Sequence, residues 1–527
     1  MERRRGAAAR ARAALTPAGA ASMKNGMFRL KHLRIETLRE RIIVIHRSAV
    51  AKGNLGFNPM DRARVIGADP QSGQRREVSG VLGFCSDTLI AEDEIGLTED
   101  AFRDLGLPEG APVSATLAVA PPSVDLVREK LRGGRLDRAA FDTILADVTR
   151  HRYSRVELAM FVMACAMRTL DLDELVDFTR AMIGTGSQVQ FGPPPIVDKH
   201  CIGGIPGNRT TMIVVPILAA LGLLVPKTSS RAITSPAGTA DTMGMLAEVA
   251  LGAARMRQVV ERTGACIAWG GALELAPADD ILITVERPME MDTEAQMVAS
   301  ILAKKKSVGA THVLIDIPLG PSAKVRTLAE AERLGELFRS VSARIELRVD
   351  IEITDARAPI GRGIGPRLEA LDVLAVLGRE PQAPADLREK SLFLAARLLE
   401  ISGKAAPAGG YHAAQAALES GAALRKFNEI VQAQGAREMP AAALFQTVVG
   451  APADGRIRQI DNWEIGRVAK LAGAPANVAA GVRLLKTFGD VVARGEPLLE
   501  IHAESAAQLE FARAYAASHA GIVQYGF

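Results

Sequence analysis

The spacing of apolar and polar positions changes character several times along the chain. From Phe28 to about Leu117, short β-rich runs such as Arg41-Ile42-Ile43-Val44-Ile45 and Val113 to Val119 are separated by Gly, Asn, Pro and Asp turns. That pattern predicts a small β-rich domain, closed by Pro121-Pro122. Ser123 then opens a series of amphipathic helices that runs to Ile183 and stops at Gly184-Thr185-Gly186. Two helix starts carry capping boxes, Ser154 with Glu157 and Asp171 with Glu174, in which each side chain accepts from the backbone N–H of the other residue.

After Pro193-Pro194-Pro195 the chain shows short apolar runs that end in Gly-rich or Ser/Thr-rich turns and lead into helices: Ile196-Val197, Ile281 to Val285 and Val313 to Ile317. Taken as strands alternating with helices, they predict a mainly parallel sheet, whose ligands gather beyond the carboxyl ends of the strands. A further helical stretch runs from about Ala370 to Val431, and the chain then returns to strands, including Gly481 to Leu485 and Leu498 to His502. The expected division is a disordered basic tail (1–22), an N-terminal β-rich domain (23–119), a helical domain (121–195, joined by 288–310), an α/β domain (196–440) and a C-terminal α+β domain (448–527). The fold class is multidomain α/β, without internal repeats.

Composition narrows the function classes. Of 527 residues, 48% are hydrophobic, enough for a sizeable core, so neither disorder nor a fibrous chain is expected. The formal charge of +4 comes entirely from residues 1–22, which hold five arginines against Glu2; without them 59 basic residues face 59 acidic ones. A neutral body argues against nucleic acid as the main partner. The tail is similar to a transit peptide, but is read as a disordered extension upstream of a later start such as Met23 or Met27. The most apolar stretch, Ile213 to Val225, is short of the roughly 18 to 20 residues of a membrane helix and contains Pro216, so no membrane partner is expected. Four cysteines without a C-x-x-C pair suggest neither a disulfide framework nor a zinc site, which fits a reducing cytoplasm.

Three segments carry candidate chemistry. The first, Asp198-Lys199-His200-Cys201 with Gly203-Gly204, Pro206-Gly207-Asn208 and Thr210-Thr211, follows a strand and combines glycines, a lysine and hydroxyls, as an anion site requires. It has neither P-loop nor dinucleotide spacing, and a Gly-rich turn with a salt-bridged lysine and a buried histidine would look the same. The second, Lys227 to Asp241, clusters Ser229, Ser230, Thr234, Ser235 and Thr239 around Arg231. A phosphate would use those donors, while capping alone would explain Thr239 or Asp241. The third runs from Arg287 through Asp292 into a helix from Thr293 to Lys306, with Ser300 and Lys304 on one face. Asp292 alone could be a helix N-cap, and Lys304-Lys305-Lys306 alone would more often be a solvated face. Gly361 to Pro366 is a weak nucleotide-loop match, and Gly489 to Pro497 is similar to a biotinyl-domain hairpin but lacks Met-Lys-Met.

Together these segments resemble the thymidine and pyrimidine-nucleoside phosphorylase family, from about Pro122 to the C-terminus. The N-terminal β domain and the Ser229 to Asp241 sequence resemble its longer branch, which holds AMP phosphorylases. The resemblance implies a small α-helical domain hinged to a large α/β domain, commonly in a homo-oligomer (a dimer or larger), with substrates between the two. It implies that Lys199, Thr211, Ser229 and Thr239 hold inorganic phosphate, a co-substrate, with no cofactor and no metal. Gly204, Thr239 and the turn Ser230, Arg231, Ala232, Ile233, Thr234, Ser235 would line the nucleoside or nucleotide pocket. Asp292 would donate the proton to the departing base, His200 would stand on the base side, and Arg287, Ser300 and Lys304 would contact the base. Lys324 fills a further substrate position. Cys201 departs from the shorter branch, which has a phosphate-binding serine there, and a thiol is the weaker donor.

The chemistry so implied is phosphorolysis of an N-glycosidic bond. It needs phosphate held behind C1′, a stabilised oxocarbenium-like sugar, and a proton for the leaving base. A group such as Asp292 must be protonated to serve, which predicts a raised pKa in the closed state. The substrate is either a nucleoside, thymidine in the first place, or a nucleoside monophosphate such as AMP, for which a cation at Lys324 would suit the 5′-phosphate. More distant alternatives are a phosphoribosyltransferase of the anthranilate type and a non-catalytic nucleotide-binding protein.

Overall fold

The computed structural model describes residues 27–37, 40–53, 56–86, 88–193, 195–232, 235–289, 291 and 293–526. The basic tail and Met23 to Gly26 lie outside them. Two compact units emerge, one ending at Arg128 and including Asp147–Phe161, the other formed by Glu129–Ala146 and Val162 onwards.

In the first unit, β1 (Met27–His32), β2 (Ile42–His46), β3 (Arg62–Ala68), β4 (Arg75–Cys85), β5 (Glu94–Leu97) and β6 (Pro112–Leu117) close into a barrel of order β1-β5-β2-β4-β3-β6. The period-two alternation supplies its interior: Leu30, Ile43, Ile45, Val65, Leu82, Ile95 and Val113 are fully buried. Closure leaves no unpaired edge to aggregate. The short helices α1 (Arg47–Gly53) and α2 (Glu99–Leu105) lie between its strands. After the barrel, Tyr153 Oη donates to Ser123 Oγ at 3.0 Å and Ser123 donates to Asp147 at 2.7 Å.

Helices α3 (Ser123–Leu131), α4 (Arg138–Thr149), α5 (Arg155–Met167) and α6 (Leu172–Thr185) follow. Both capping boxes form, Ser154 with Glu157 and Asp171 with Glu174. Glu174 has a second duty, accepting from the buried Lys130 ammonium at 2.7 and 2.8 Å.

The second unit is organised around parallel strands. β7 (Val197–Cys201), β8 (Val225–Ser229), β9 (Ala265–Trp269), β10 (His312–Leu319) and β11 (Arg348–Asp355) form a ladder β7-β10-β11 and a pair β8-β9, linked by a bridge from Ile196 to Leu224. Between them run α7 (Thr211–Ala220), α8 (Thr239–Met243), α9 (Ala253–Thr263), α10 (Pro277–Met289), α11 (Glu294–Ser307) and α12 (Leu328–Arg344). The run Ile281 to Val285, expected as a strand, belongs to α10. Its buried positions Ala278, Leu282 and Val285 recur at helical spacing, and Asp279 and Asp280 occupy the first turn, where the helix dipole favours them.

Helices α13 (Pro366–Gly378), α14 (Ala385–Ile401), α15 (Gly410–Glu419) and α16 (Ala422–Gln434) complete the core around the largely apolar α7. Beyond them lie two antiparallel sheets, β12 (Gly363–Ile364), β15 (Gly481–Leu484), β17 (Pro497–Ala503) and β13 (Phe445–Gly450) in one, β16 (Val491–Val492), β14 (Gly455–Ile460) and β18 (Val523–Gly526) in the other. With α17 (Asn462–Leu471) and α18 (Ala506–Ser518) they enclose a separate apolar cluster. The architecture is the expected mixture of a helical bundle, an α/β layer and a C-terminal α+β portion. No helix among the described residues is long and apolar enough to cross a membrane.

Candidate active site

Three loops leave the carboxyl ends of adjacent strands: 202–210 after β7, 230–238 after β8 and 320–327 after β10. Gly204 brings the first against the third. Its φ is +83°, and a Cβ there would lie 2.5 Å from the Lys324 backbone nitrogen, so only glycine permits this approach. Gly238 does the same for the second loop, where a Cβ would come within 2.6 Å of the Ser230 oxygen.

In the middle of β7, Lys199 is 2% exposed. Its ammonium donates to Thr210 Oγ1 at 2.8 Å and lies 3.5 Å from Asp316 on β10. Asp316 also faces Lys390 of α14 at 3.1 Å and accepts from Thr354 at 2.6 Å. Burial opposes ionisation of Asp316, but Lys390 and Lys199 outweigh it and hold the carboxyl down at about 2. For Lys199 burial wins, lowering its pKa against the pull of Asp316. Thr211 is the buried first residue of α7, and Thr210 accepts from the lysine while donating to Asn208 at 3.0 Å.

Asp198, fully buried one residue earlier, forms a second junction. It receives Lys305 of α11 at 2.7 Å and Lys227 of β8 at 3.4 Å. Lys227 is pushed down to about 7, chiefly by burial and further by Lys305, against the attraction of Asp198. His200 is held well below its ordinary value by burial and by Lys305, Lys227, Lys199 and Lys304, so its imidazole is neutral. The Cys201 thiol accepts from Asn208 Nδ2 at 3.1 Å and is raised by burial and by Asp316, which keeps it protonated. Four ammonium groups thus face two carboxylates in this buried region.

The loop after β8 is fixed from below. Buried Arg209 pairs with buried Glu369 of α13, donates to Thr239 Oγ1 at 2.8 Å and to the Ala237 carbonyl at 2.9 Å. Asp241 accepts from the backbone N–H groups of Ala232 at 2.6 Å and Gly238 at 2.9 Å. Arg231 lies 4.8 Å over the Trp269 ring and 3.7 Å from Asp241, while Ser229 ends β8 beside it. Ser235 donates to the Ala237 carbonyl at 2.8 Å.

On the helical side, Lys304 of α11 pairs with Asp279 at 2.6 Å and Asp280 at 3.6 Å, both on α10. Burial would lower its pKa, but these two carboxylates outweigh burial and raise it. Ser300, one turn earlier, is half-buried. The run Lys304-Lys305-Lys306 is therefore no solvated face: Lys305 is 2% exposed and all three are engaged, Lys306 with the Glu346 carbonyl. The N-cap of α11 is Thr293, which accepts from Gln296 N, so the capping role weighed for Asp292 is filled by its neighbour. Asp292, Ile233 and Thr234 lie outside the described residues, as does the Arg287 side chain.

The structure thus joins Lys199, Thr210 and Thr239 with their supports, and links β7 to α11. Lys324 is exposed in the loop that abuts Gly204. Sequence reasoning missed Arg209, Lys305, Asp316, Glu369 and Lys390. A usable signal existed for Asp316: a carboxylate inside the apolar run Val313 to Ile317 must be paired.

Comparisons with known proteins agree across the chain. The glycosyl transferase family a/b domain model matches residues 193–424 and its helical bundle domain residues 124–186. The pyrimidine nucleoside phosphorylase C-terminal domain matches residues 456–522. A protein of Polaromonas sp. named "Putative thymidine phosphorylase" is 48% identical over 507 residues, covering 96% of this chain and 98% of its own. Proteins of the same name from Rhodopseudomonas palustris (48% over 494 residues, 94% and 95%) and Methylococcus capsulatus (45% over 497 residues, 94% and 95%) also match. Among solved structures, anthranilate phosphoribosyltransferase from Thermus thermophilus matches with a TM-score of 0.49 and 18% identity, covering 59% of this chain and 99% of that one.

Proposed function

Since the chain belongs to the thymidine phosphorylase family of glycosyl transferases, we propose that it cleaves the N-glycosidic bond of a nucleoside with inorganic phosphate, in the first place thymidine to thymine and 2-deoxyribose 1-phosphate. The observation that carries this reading is the set of lysines on β7, β8 and the helices α11 and α14, where four ammonium groups face two fully buried carboxylates. An anion is the missing partner for such a surplus.

In this reading Lys199, Thr211, Ser229 and Thr239 hold phosphate behind C1′. A phosphate oxygen forms the new bond to C1′ as the bond to the base nitrogen breaks, and the base leaves with the electron pair and takes a proton from Asp292. Neutral His200 stands at the base as a hydrogen-bonding group, and Arg287, Ser300 and Lys304 grip the ring. General acid help of this kind is worth roughly a hundredfold to ten-thousandfold. Inorganic phosphate is a co-substrate, no resident cofactor is required, and the protein works as a cytoplasmic homo-oligomer.

A second reading, a nucleoside monophosphate such as AMP giving free base and ribose 1,5-bisphosphate, is favoured by Lys324. Its loop abuts Gly204, and a cation there suits a 5′-phosphate. Release of free base from thymidine, uridine, AMP, CMP and GMP, with and without phosphate, separates the two. Thymine released only with phosphate supports the first; a base released only from a nucleotide supports the second; no phosphate-dependent release from any would defeat both.

A further inference from the structure

Helix α11 carries Ser300 and Lys304, and its ion pairs mostly run to other helices: Lys304 to Asp279 on α10, and Glu294 to Arg333 of α12 at 2.5 Å. Lys305 differs. It points from the last turns of α11 to Asp198 of β7 at 2.7 Å, with both groups buried. The helix ends at Ser307, and the chain turns into the sheet. Val189 N donates to the Ser307 carbonyl at 2.8 Å, Gly309 turns the chain at φ +73°, Ala310 N returns to the Lys305 carbonyl at 3.2 Å, and β10 begins at His312. Lys305 is thus attached where α11 gives way to β10.

Asp198 is followed directly by Lys199 and His200, so the carboxylate that receives Lys305 sits at the root of the segment assigned to phosphate. Lys227 shares that carboxylate from β8, whose last residue is Ser229. We propose that Lys305 is a positioning residue that registers the base-gripping helix α11 on the phosphate-bearing strand β7 through Asp198, and that Lys227 is the matching residue for the phosphate side. This rests on the phosphorolysis proposed above.

The shared carboxylate makes the test internally controlled. Lys305→Met leaves Asp198 paired with Lys227, and Lys227→Met leaves it paired with Lys305. Each variant removes one lysine from the same carboxylate, and a merely structural role would shift the two Michaelis constants together within each variant. The geometry predicts instead that Lys305→Met raises the KM for nucleoside by about tenfold or more, the scale expected of a misplaced contact, with a smaller change in the KM for phosphate. Lys227→Met should show the reverse split. Lys305→Gln, which keeps one donor towards Asp198, should fall between Lys305→Met and the parent, and it supplies the measurement if the methionine variant fails to fold. Equal shifts of both constants in the two variants, or an unchanged nucleoside KM in Lys305→Met or Lys305→Gln beside an active parent, would overturn the inference alone. A parent without phosphate-dependent base release would overturn the function on which it rests.

Discussion

Substituting Asp316 by Asn tests whether the charge of Lys199 is maintained from beneath. Among the described residues, Asp316 reaches the expected substrate positions through Lys199, lying fully buried between Lys199 at 3.5 Å and Lys390 at 3.1 Å. At an effective dielectric of about 20, each contact corresponds to about 5 kcal/mol of attraction. Removing one partner of such a buried cluster costs about 3 to 5 kcal/mol after relaxation. Asp316→Asn should therefore unfold at clearly lower denaturant than the parent at pH 7.

The functional consequence is separable from that loss. Burial already lowers the Lys199 pKa, and Asp316 is the foremost group raising it. Without that carboxylate Lys199 gives up its proton at a lower pH, so the phosphate KM should begin to climb at a lower pH than in the parent. Stability should also lose its acid limb. The folded pKa of Asp316 is depressed from 3.8 to about 2, so its contribution is fully present above 3.8 and disappears as pH falls through about 2. That difference corresponds to about 2 kcal/mol. The assays are phosphate KM from neutral into alkaline pH and denaturation from neutral pH down to about pH 2, on parent and variant. A variant whose phosphate KM follows the parental pH profile would falsify the idea that Asp316 sustains the Lys199 charge.

Other substitutions probe neighbouring links. Cys201→Ser replaces a neutral thiol by a stronger donor, and the phosphate KM should fall roughly twofold to tenfold, from about 0.5 to 1.5 kcal/mol of hydrogen bonding; an unchanged or higher value would place position 201 away from phosphate. Gly204→Ala sets a methyl 2.5 Å from the Lys324 nitrogen, whereas Gly203→Ala, with φ +92°, meets nothing within 4 Å. Both carry the left-handed strain of about 1 to 2 kcal/mol, but only Gly204→Ala should also lose kcat/KM by about a hundredfold through displaced loops. Comparable activity in the two would remove the loop contact from the argument. Glu369→Gln weakens the hold on Arg209 and so on Thr239; thermal unfolding should drop and phosphate KM should rise together, and a stability loss without any change in KM would confine Arg209 to the core.

Much of this arrangement is legible in the chain because it depends on neighbours in sequence. The capping boxes at Ser154 and Asp171 and the Gly-rich turn after β7 are local devices, and each forms. The barrel is visible only as a β-rich stretch, since β1 pairs with β5 and β6, which no local pattern announces. Ile281 to Val285 reads as a strand because a short, largely apolar run fits either period, and the deciding signal, Asp279-Asp280 on a first helical turn, lies just upstream. Lys304-Lys305-Lys306 looks like a solvated run because its carboxylates, Asp279 and Asp198, come from other elements. The Asp316 to Lys390 and Arg209 to Glu369 pairs join positions far apart in sequence, and only the fold brings them together.

These pairs share a logic that explains why an uncompensated positive region can persist in a folded interior. A buried ammonium alone is costly, and neutralising each lysine with its own carboxylate would leave nothing for an anion. Here Asp198 divides itself between Lys305 and Lys227, and Asp316 between Lys199 and Lys390. Each carboxylate contributes enough to keep two lysines tolerable and too little to satisfy both. A dianion at the strand ends would supply the missing charge without moving the backbone, and its attraction would go into holding phosphate in place rather than into assembling the site. The same sharing ties α11 to β7 and α14 to β10, so on the proposed reading the lysines left for an anion are also the ones that link the helices to the strands.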